Sequence, residues 1–471
     1  MSDIRLDELK KDAKIYFVGI GGISMSGLAL LSKGYGFKVG GSDNHPSERT
    51  ESLAHQGITI YNSQEAKNID EFDPDYIVKT AAVLPHNKEL ARALEKNITV
   101  FDRSEFLGII TNSYKNVINI SGTHGKTTTT SMTSMMLIEE GLDPTVHLGA
   151  PFDGIGGTIR QGGGRELLVS EACEFKRSFL EFRSTTAAIT NIDHDHVDCY
   201  PTLDDVIDVF ARFIEKVDEG GNLVVTGTDK NIKEAIARSD RNVNVITCAA
   251  EEGDYDFKAL NITYEEGLPA FDLYIMGENA GRVNLKVPGG HNISNALIAS
   301  ACAYLNGASP ESIISALNKF GGADGRFTIK GMYKGAEVVV DYAHHPTAAR
   351  VTIDAAMHMP HKNVLVVFQP LTFNRVKLLF DEYVESLLPC RKILFSEIFS
   401  DREINDGTIS SKDIADAINA KGGNAEFYAD KAELVRRIDE LINPGDMILI
   451  LGPEDIRELG NELCPGMHNG R

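Results

Sequence analysis

Two apolar runs in this chain break directly into glycine turns and then into helix-patterned sequence, which leaves few folds open. The first is Ile15-Tyr-Phe-Val-Gly-Ile20, followed by Gly21-Gly22 and an apolar-periodic stretch from Met25 to Lys33. The second is Val117-Ile-Asn-Ile-Ser121, followed by Gly122-Thr-His-Gly125 and a long helix predicted over Thr127 to Glu140. A strand that feeds a helix through glycine opens a βαβ unit, and crossover helices of that kind belong to parallel sheets. Short runs at Phe37-Gly40, Ile58-Tyr61, Tyr76-Lys79 and Ile98-Phe101 continue the first unit. Glu166-Ser170, Ala187-Thr190 and Asn222-Thr226 continue the second. Runs at Leu273-Met276 and Val283-Val287 predict antiparallel strands within 254–288, and His291 to Leu305 predicts a helix with Asn292 as its cap. After the glycine-rich Phe320-Gly-Gly-Ala-Asp-Gly-Arg326, read as a hinge, buried strands recur at Glu337-Asp341, Asn363-Phe368, Lys392-Ser396 and Met447-Leu451.

With 471 residues, and about 150 per domain, the chain has room for three such units. The expected fold is α/β in three domains: a Rossmann-like domain at 1–106, a central phosphate-loop domain at 107–324 and a second Rossmann-like domain at 325–471. A hydrophobic share of 42% supports real cores and excludes a disordered scaffold. A net charge of −21 argues against bulk attraction to nucleic acid or anionic lipid, so anionic ligands must be held by local devices. The six cysteines form no CxxC pair, which excludes a disulfide framework and a zinc-knuckle spacing. No window approaches about 18 uncharged apolar residues, and the first residues carry no apolar signal core. The expectation is a soluble, cytoplasmic protein, a monomer or weak homodimer, with no membrane or nucleic-acid partner.

The segment Ser121-Gly-Thr-His-Gly-Lys-Thr-Thr128 follows a strand and opens a helix. In that setting backbone N–H groups and the helix dipole hold phosphates. Gly122, Thr123, His124, Gly125, Lys126, Thr127 and Thr128 are therefore candidates for binding ATP, with Lys126 on the β/γ phosphates and Thr127 on magnesium. The strict G-x-x-x-x-G-K-[ST] pattern fails at Ile120, so the loop is a shorter variant; the alternative is a plain turn with a solvated lysine.

At the first turn, Gly19, Gly21, Gly22, Ser24, Met25 and Ser26 precede Asp43, which ends the next strand where a ribose-binding acid is expected. A third fingerprint glycine is missing at Ser24. A nucleotide-linked substrate therefore fits this turn better than a nicotinamide or flavin, with a structural turn as the remaining option. Glu171 and the segment Asn191-Ile-Asp-His-Asp-His196 follow strands whose C-terminal ends line the ligand crevice of a doubly wound sheet. Carboxylate and hydroxyl oxygens suit magnesium, and His196 suits a second ion, magnesium or manganese, on the substrate side. A zinc site at His194 and His196 is the rival, with nothing close in sequence to complete it.

Gly-Thr-His-Gly-Lys-Thr-Thr, Glu171-Ala-Cys-Glu, Thr190-Asn-Ile-Asp-His-Asp-His196, Gly290-His-Asn-Ile-Ser-Asn295, Gly325-Arg-Phe327 and Asp341-Tyr-Ala-His-His-Pro-Thr347 occur in one order. In this the chain resembles the Mur ligases, over essentially its whole length, and within them the alanine-adding branch. The resemblance implies a first domain for the UDP moiety of UDP-N-acetylmuramate, a central domain for ATP and two magnesium ions, and a third domain that closes to bring in an amino acid. It implies phosphorylation of the muramoyl carboxylate to an acyl phosphate, followed by attack of an amino group. It further implies that Lys126, His196, Arg326 and His344 are catalytic and that Thr127, Glu171 and His196 hold metal. Asn292 and Asn295 would contact adenine, Arg326 the ATP phosphates, and His344 and Arg375 the incoming amino acid. Phe210 stands where later-acting ligases carry a carbamylated lysine, which favours the alanine-adding branch.

Three departures gather in the third domain: Gln369-Pro-Leu371 for the family's Gln-Pro-His, Ala348 for the usual acid, and Gly452-Pro-Glu-Asp455 for Gly-Ala-Gly-Asp. They leave open glycine, serine or a recycled peptide as acceptor, and a non-catalytic protein binding UDP-muramoyl ligands and ATP.

Overall fold

The computed structural model describes residues 4–80, 83, 86–400 and 403–465, which build three sheets. The first has five parallel strands in the spatial order Thr59–Tyr61, Lys38–Ser42, Lys14–Val18, Tyr76–Lys79, Thr99–Asp102. Lys14–Val18, fully buried from Ile15 onward, is central, and the chain winds to one side of it and then to the other. The turn Gly19–Gly22 thus lies at the topological switch point, where a crevice opens beyond the strand ends.

The central sheet has ten strands, with Asn116–Ser121 inside it. Its parallel neighbours are Ser184–Ile189 on one side and Leu167–Glu171 on the other. The loop after Asn116–Ser121 is therefore flanked by Glu171 at one strand end and Thr190–Asn191 at the next. Thr145–Phe152 and Gly157–Arg160 extend one edge. Val217–Thr226 and Asn244–Ala249 extend the other, followed by the antiparallel strands Phe257–Glu265, Leu268–Ile275 and Glu278–Asn284.

Helix Lys126–Glu139 begins one residue earlier than its sequence pattern suggests, because Gly125 takes a left-handed conformation (φ +84°) as the N-cap. This helix is rich in hydroxyls yet buried. Thr130 donates to the Lys126 carbonyl, Thr133 to Thr129 and Ser134 to Ser131, so these three hydroxyls are satisfied within the helix. Such short side chains let it lie against His291–Leu305, whose buried residues include Ala296, Ala299, Ser300, Ala301 and Ala303. The helix His291–Leu305 has the predicted bounds, but Asn292 does not cap it. Gly290 is the N-cap, and the Asn292 amide turns inward to donate to the Pro288 carbonyl, 2.8 Å away.

The third sheet runs Thr328–Tyr333, Ala336–Asp341, Met447–Leu451, Val364–Phe368, Ile393–Phe395, Ala425–Phe427, with only the first pair antiparallel. Val338–Val340 and Met447–Leu451 are wholly buried. Among the described residues no helix is long and apolar enough to cross a membrane.

Three buried histidines make the fold sensitive to acid. Burial pushes His147 down to about 3, and His291 and His345 to about 4, from an ordinary value of 6.5. The unfolded chain takes up these protons as pH falls below about 6.5 while the folded chain refuses them, so stability drops with falling pH. Each histidine withdraws up to about 2 kcal/mol at pH about 5. The urea midpoint should fall clearly between pH about 7.5 and about 5, and fall less in His147→Gln; equal midpoints would contradict this account.

Candidate active site

The loop 122–125 is fixed by both flanking strand ends. Gly122 (φ +131°) passes so close to Thr190 that a Cβ there would meet the threonine hydroxyl at 2.0 Å, and a Cβ on Gly125 would meet Asn295 Oδ1 at 2.4 Å. Only glycine fits either place. The Thr123 amide donates to the Asn191 carbonyl (3.0 Å) and the His124 amide to Asn191 Oδ1 (2.9 Å). Thr190 Oγ1 and Asn191 Nδ2 both donate to the His124 carbonyl, at 2.6 and 2.9 Å. Thr128 is buried in the first turn of the helix.

Lys126 folds its ammonium back into the loop, donating to the Gly122 carbonyl at 2.6 Å and to Glu174 Oε2 at 2.9 Å. Burial works against its charge, but Glu174 overrides this and holds the lysine above its usual value. Glu174, with only 2% of its side chain exposed, was not singled out from the sequence. Its Oε1 also lies 3.5 Å from His196 Nε2.

Thr127 Oγ1 donates to Glu171 Oε2 at 2.8 Å, and the Gly149 amide donates to the same oxygen at 3.0 Å. A hydroxyl and a carboxylate so placed are the hard oxygen donors that magnesium takes. His196 sits in a left-handed backbone conformation (φ +50°), with Phe175 against its ring at 4.9 Å. Its Nδ1 is buried with no partner among the described residues. A donor left empty in this way fits an absent cation, so Thr127, Glu171 and His196 suit the metal expected there.

The third sheet is closed over the central one. Arg326 Nη2 donates to Thr127 Oγ1 at 3.3 Å, and its guanidinium lies over Tyr342, 5.1 Å from the ring centroid. Thr347 Oγ1 donates to Asp193 Oδ2 at 2.7 Å, and His345 Nε2 to the His194 carbonyl at 3.2 Å. Arg375, expected as a receptor for the amino-acid carboxylate, is already engaged. It is 1% exposed, pairs with Asp195 Oδ1 at 2.6 Å and donates to the Leu371 carbonyl at 3.0 Å. Burial opposes the charge on Asp195, yet Arg375 holds that carboxyl well below the usual range. His344 is fixed beside this pair: Nδ1 donates to the Tyr342 carbonyl at 2.7 Å, and burial keeps the ring neutral.

Asn295 Nδ2 donates to Asn292 Oδ1 at 3.0 Å, and Asn295 Oδ1 accepts from Thr129 at 3.3 Å, so the two asparagines stand directly behind the loop. Of the departures, Ala348 lies in helix Pro346–Met357, Leu371 pairs with Phe399 across an isolated bridge, and Asp455 accepts from Gln369 Nε2 at 2.9 Å. The Glu454 side chain lies outside the described residues.

At the first turn, Asp43 Oδ2 accepts from the Gly21 amide at 2.9 Å and Oδ1 from the His45 amide at 3.0 Å, so this acid shapes the turn as well as facing it. Gly19 has φ +81°, Gly22 caps helix Ile23–Gly34, Met25 is buried in the core, and Ser26 Oγ donates to the Ile23 carbonyl. The unexpected residue is Arg103. Its Nη1 donates to Ser24 Oγ at 3.1 Å, and the same hydroxyl meets His147 Nε2 at 3.1 Å. Burial pulls the guanidinium down from its usual value, the thiol of Cys173 being the other group acting on it. No carboxylate pairs with it among the described residues. A cation kept largely from water beside a glycine turn and a helix N-terminus makes a receptor for an anion.

Comparison with known proteins agrees over nearly the whole chain. Residues 14–115 match the Mur ligase family catalytic domain, 120–303 the Mur ligase middle domain and 325–453 the Mur ligase glutamate ligase domain. The UDP-N-acetylmuramate–L-alanine ligase of Lachnoclostridium phytofermentans is 41% identical, covering 97% of this chain and 98% of its own. That of Clostridium acetobutylicum is 40% identical, covering 96% and 98%. Among solved structures, the UDP-N-acetylmuramate-alanine ligase of Thermotoga maritima superposes with a TM-score of 0.78 at 27% identity, covering 96% of this chain and 98% of that one. Three family matches in sequence order, and relatives of this closeness over nearly full length, leave one assignment: the chain belongs to the Mur ligase family.

Proposed function

We propose that the protein is an ATP-dependent ligase that joins L-alanine to UDP-N-acetylmuramate through an acyl phosphate, a step in making peptidoglycan precursors, and that it works in the cytoplasm. The observation that carries this reading is the convergence on Thr127: the central domain's Glu171 and the third domain's Arg326 both reach its hydroxyl. Phosphoryl transfer is mostly positioning and charge neutralisation, and such convergence supplies both.

In this reading the loop amides and the N-terminus of helix Lys126–Glu139 hold the ATP phosphates, while Asn292 and Asn295 contact the adenine. Lys126 leaves the Gly122 carbonyl and Glu174 for the γ-phosphate, meeting the charge that develops on it. Thr127 and Glu171 would hold one magnesium ion and His196 a second, and bound magnesium neutralises phosphate charge. Arg326 adds a further cation on closure. The amino acid enters beside His344 and Arg375. Because Asp195 holds Arg375 in the present arrangement, the α-carboxylate must share or displace that carboxylate. The relatives' printed names and the full set Lys126, Thr127, Glu171 and His196 support a working enzyme over a binding protein without turnover.

The decisive experiment is phosphate release from ATP with UDP-N-acetylmuramate across single amino acids and a tripeptide. Alanine should give the highest kcat/KM. No release with any acceptor would sink the reading. Arg103 adds a separate expectation. If it receives an anionic group of the sugar nucleotide, a charge-assisted bond of about 1.5–3 kcal/mol is lost in Arg103→Leu, and the Kd for UDP-N-acetylmuramate rises roughly ten- to a hundredfold. Calorimetry should find ATP affinity unchanged in this variant and no binding of NAD at the turn. An unaltered Kd would leave Arg103 a structural residue.

A further inference from the structure

The active-site crevice holds two different sets of metal donors. One is the oxygen pair of Thr127 and Glu171. The other lies a few residues on: the Cys173 sulfur, a carboxylate oxygen of Glu174 and a ring nitrogen of His196 all fall within 4.8 Å of one another. These donors come from two separate strand ends. Cys173 and Glu174 follow strand Leu167–Glu171, whereas His196 follows Ser184–Ile189. Glu174 is almost fully buried, Cys173 is a free, half-buried thiol, and His196 has 17% of its side chain exposed. The two histidine nitrogens differ: Nε2 faces Glu174, and Nδ1 is buried without a partner among the described residues.

We infer that Cys173, Glu174 and His196 form a site for a borderline-soft divalent cation of the zinc class, and that occupying it shuts the enzyme down. Sulfur, imidazole nitrogen and one carboxylate oxygen are a three-ligand set with a fourth position open, which zinc, cadmium and cobalt favour. Magnesium asks for nearly octahedral oxygen and gains little from a thiol. On binding, the Cys173 thiol gives its proton to solvent, and the thiolate, a Glu174 oxygen and a His196 nitrogen each give a lone pair to the metal; no other covalent bond breaks. The inhibition follows from what the ligands were doing before. Glu174 ceases to pair with Lys126, and His196 is lost to the substrate-side magnesium. The inhibitory half of this inference rests on the function proposed above, whereas the binding half does not.

The test compares wild type with Cys173→Ser, because Cys173 takes no part in the proposed chemistry. With magnesium saturating, zinc and cadmium should inhibit wild type, and the concentration for half-inhibition should rise at least about tenfold in Cys173→Ser, more for cadmium than for zinc. Cobalt titrated into the wild-type protein should raise a near-ultraviolet thiolate-to-metal charge-transfer band that the serine variant lacks. Equal inhibition of both proteins, or a cobalt complex without that band, would overturn the site and place the inhibitory zinc on Thr127 and Glu171. If no acceptor supports turnover under magnesium, the proposed function fails. The cobalt band still decides the site.

Discussion

Replacing Lys126 with alanine should lower ATP-dependent turnover by about a hundred- to a thousandfold, the loss seen when one preorganised donor to a developing charge is removed. The variant strands Glu174, which is 2% exposed and draws its positive partner from Lys126. An unpaired buried carboxylate costs about 3–5 kcal/mol, so a drop in stability would confuse the result. The double variant Lys126→Ala/Glu174→Gln removes that complication. It should recover most of the thermal midpoint and none of the activity. Phosphate release measured beside calorimetric unfolding separates the two effects. If Lys126→Ala keeps more than about a tenth of wild-type turnover, a barrier change below about 1.4 kcal/mol, the phosphate-loop reading is wrong.

The second large effect is expected at the pair joining the central and third sheets. Asp195 and Arg375 meet at 2.6 Å with almost no exposure, so Asp195→Asn or Arg375→Leu leaves a buried charge without its partner. The penalty is again about 3–5 kcal/mol, but here one partner follows the central strand Ser184–Ile189 and the other lies in helix Phe373–Leu378 beside the third sheet, and opening the closed arrangement relieves it. Each single variant should therefore lose at least about a hundredfold in overall ligation while binding ATP as before. Cleavage within the 320–326 segment by a protease should become faster. Asp195→Leu/Arg375→Leu should be less damaged in closure than either single change, because it strands neither charge. Arg375 is also the proposed receptor for the amino acid, so the double variant should still lack efficient ligation. Unchanged protease protection in the single variants would show that the pair does not hold the closed form.

What the sequence discloses about this molecule follows a physical division. The strand, glycine turn and helix around Gly122, Gly125 and Lys126 were legible because they are contiguous in sequence. The buried runs Ile15–Val18, Val338–Val340 and Met447–Leu451 were legible because parallel strands covered on both faces are written as unbroken apolar sequence. The strands Gly157–Arg160, Thr328–Tyr333 and Ala425–Phe427 were not, since sheet edges are short and partly exposed and carry little pattern. Asn292 misled because an asparagine at a helix start usually caps it, whereas here the preceding Gly289, with φ +90°, turns the chain and leaves Gly290 in that role. Arg103, Glu174 and Asp195 were hidden for another reason. Each matters through a partner or an empty space far away in sequence: Arg103 through Ser24, Asp195 through Arg375, and Glu174 through Lys126. An isolated charged residue in a sequence reads as solvated surface until folding removes the water.

The close seating of the hydroxyl-rich helix Lys126–Glu139 on the small-residue helix His291–Leu305 has a mechanical consequence. With Asn295 set against Gly125 and bonded to Thr129, the N-terminus of helix Lys126–Glu139 and the asparagine pair behind it form one stiff gauge of fixed span. The asparagines are held in turn by hydrogen bonds to the Pro288 carbonyl and to Thr129. On the function proposed above, a nucleotide laid along this gauge would be measured against a constant length, and the travel of each catalytic cycle would fall to the third sheet. Enlarging Ala299 or Ser300, both fully buried in the second helix, would stretch the gauge from the inside without touching a single ligand.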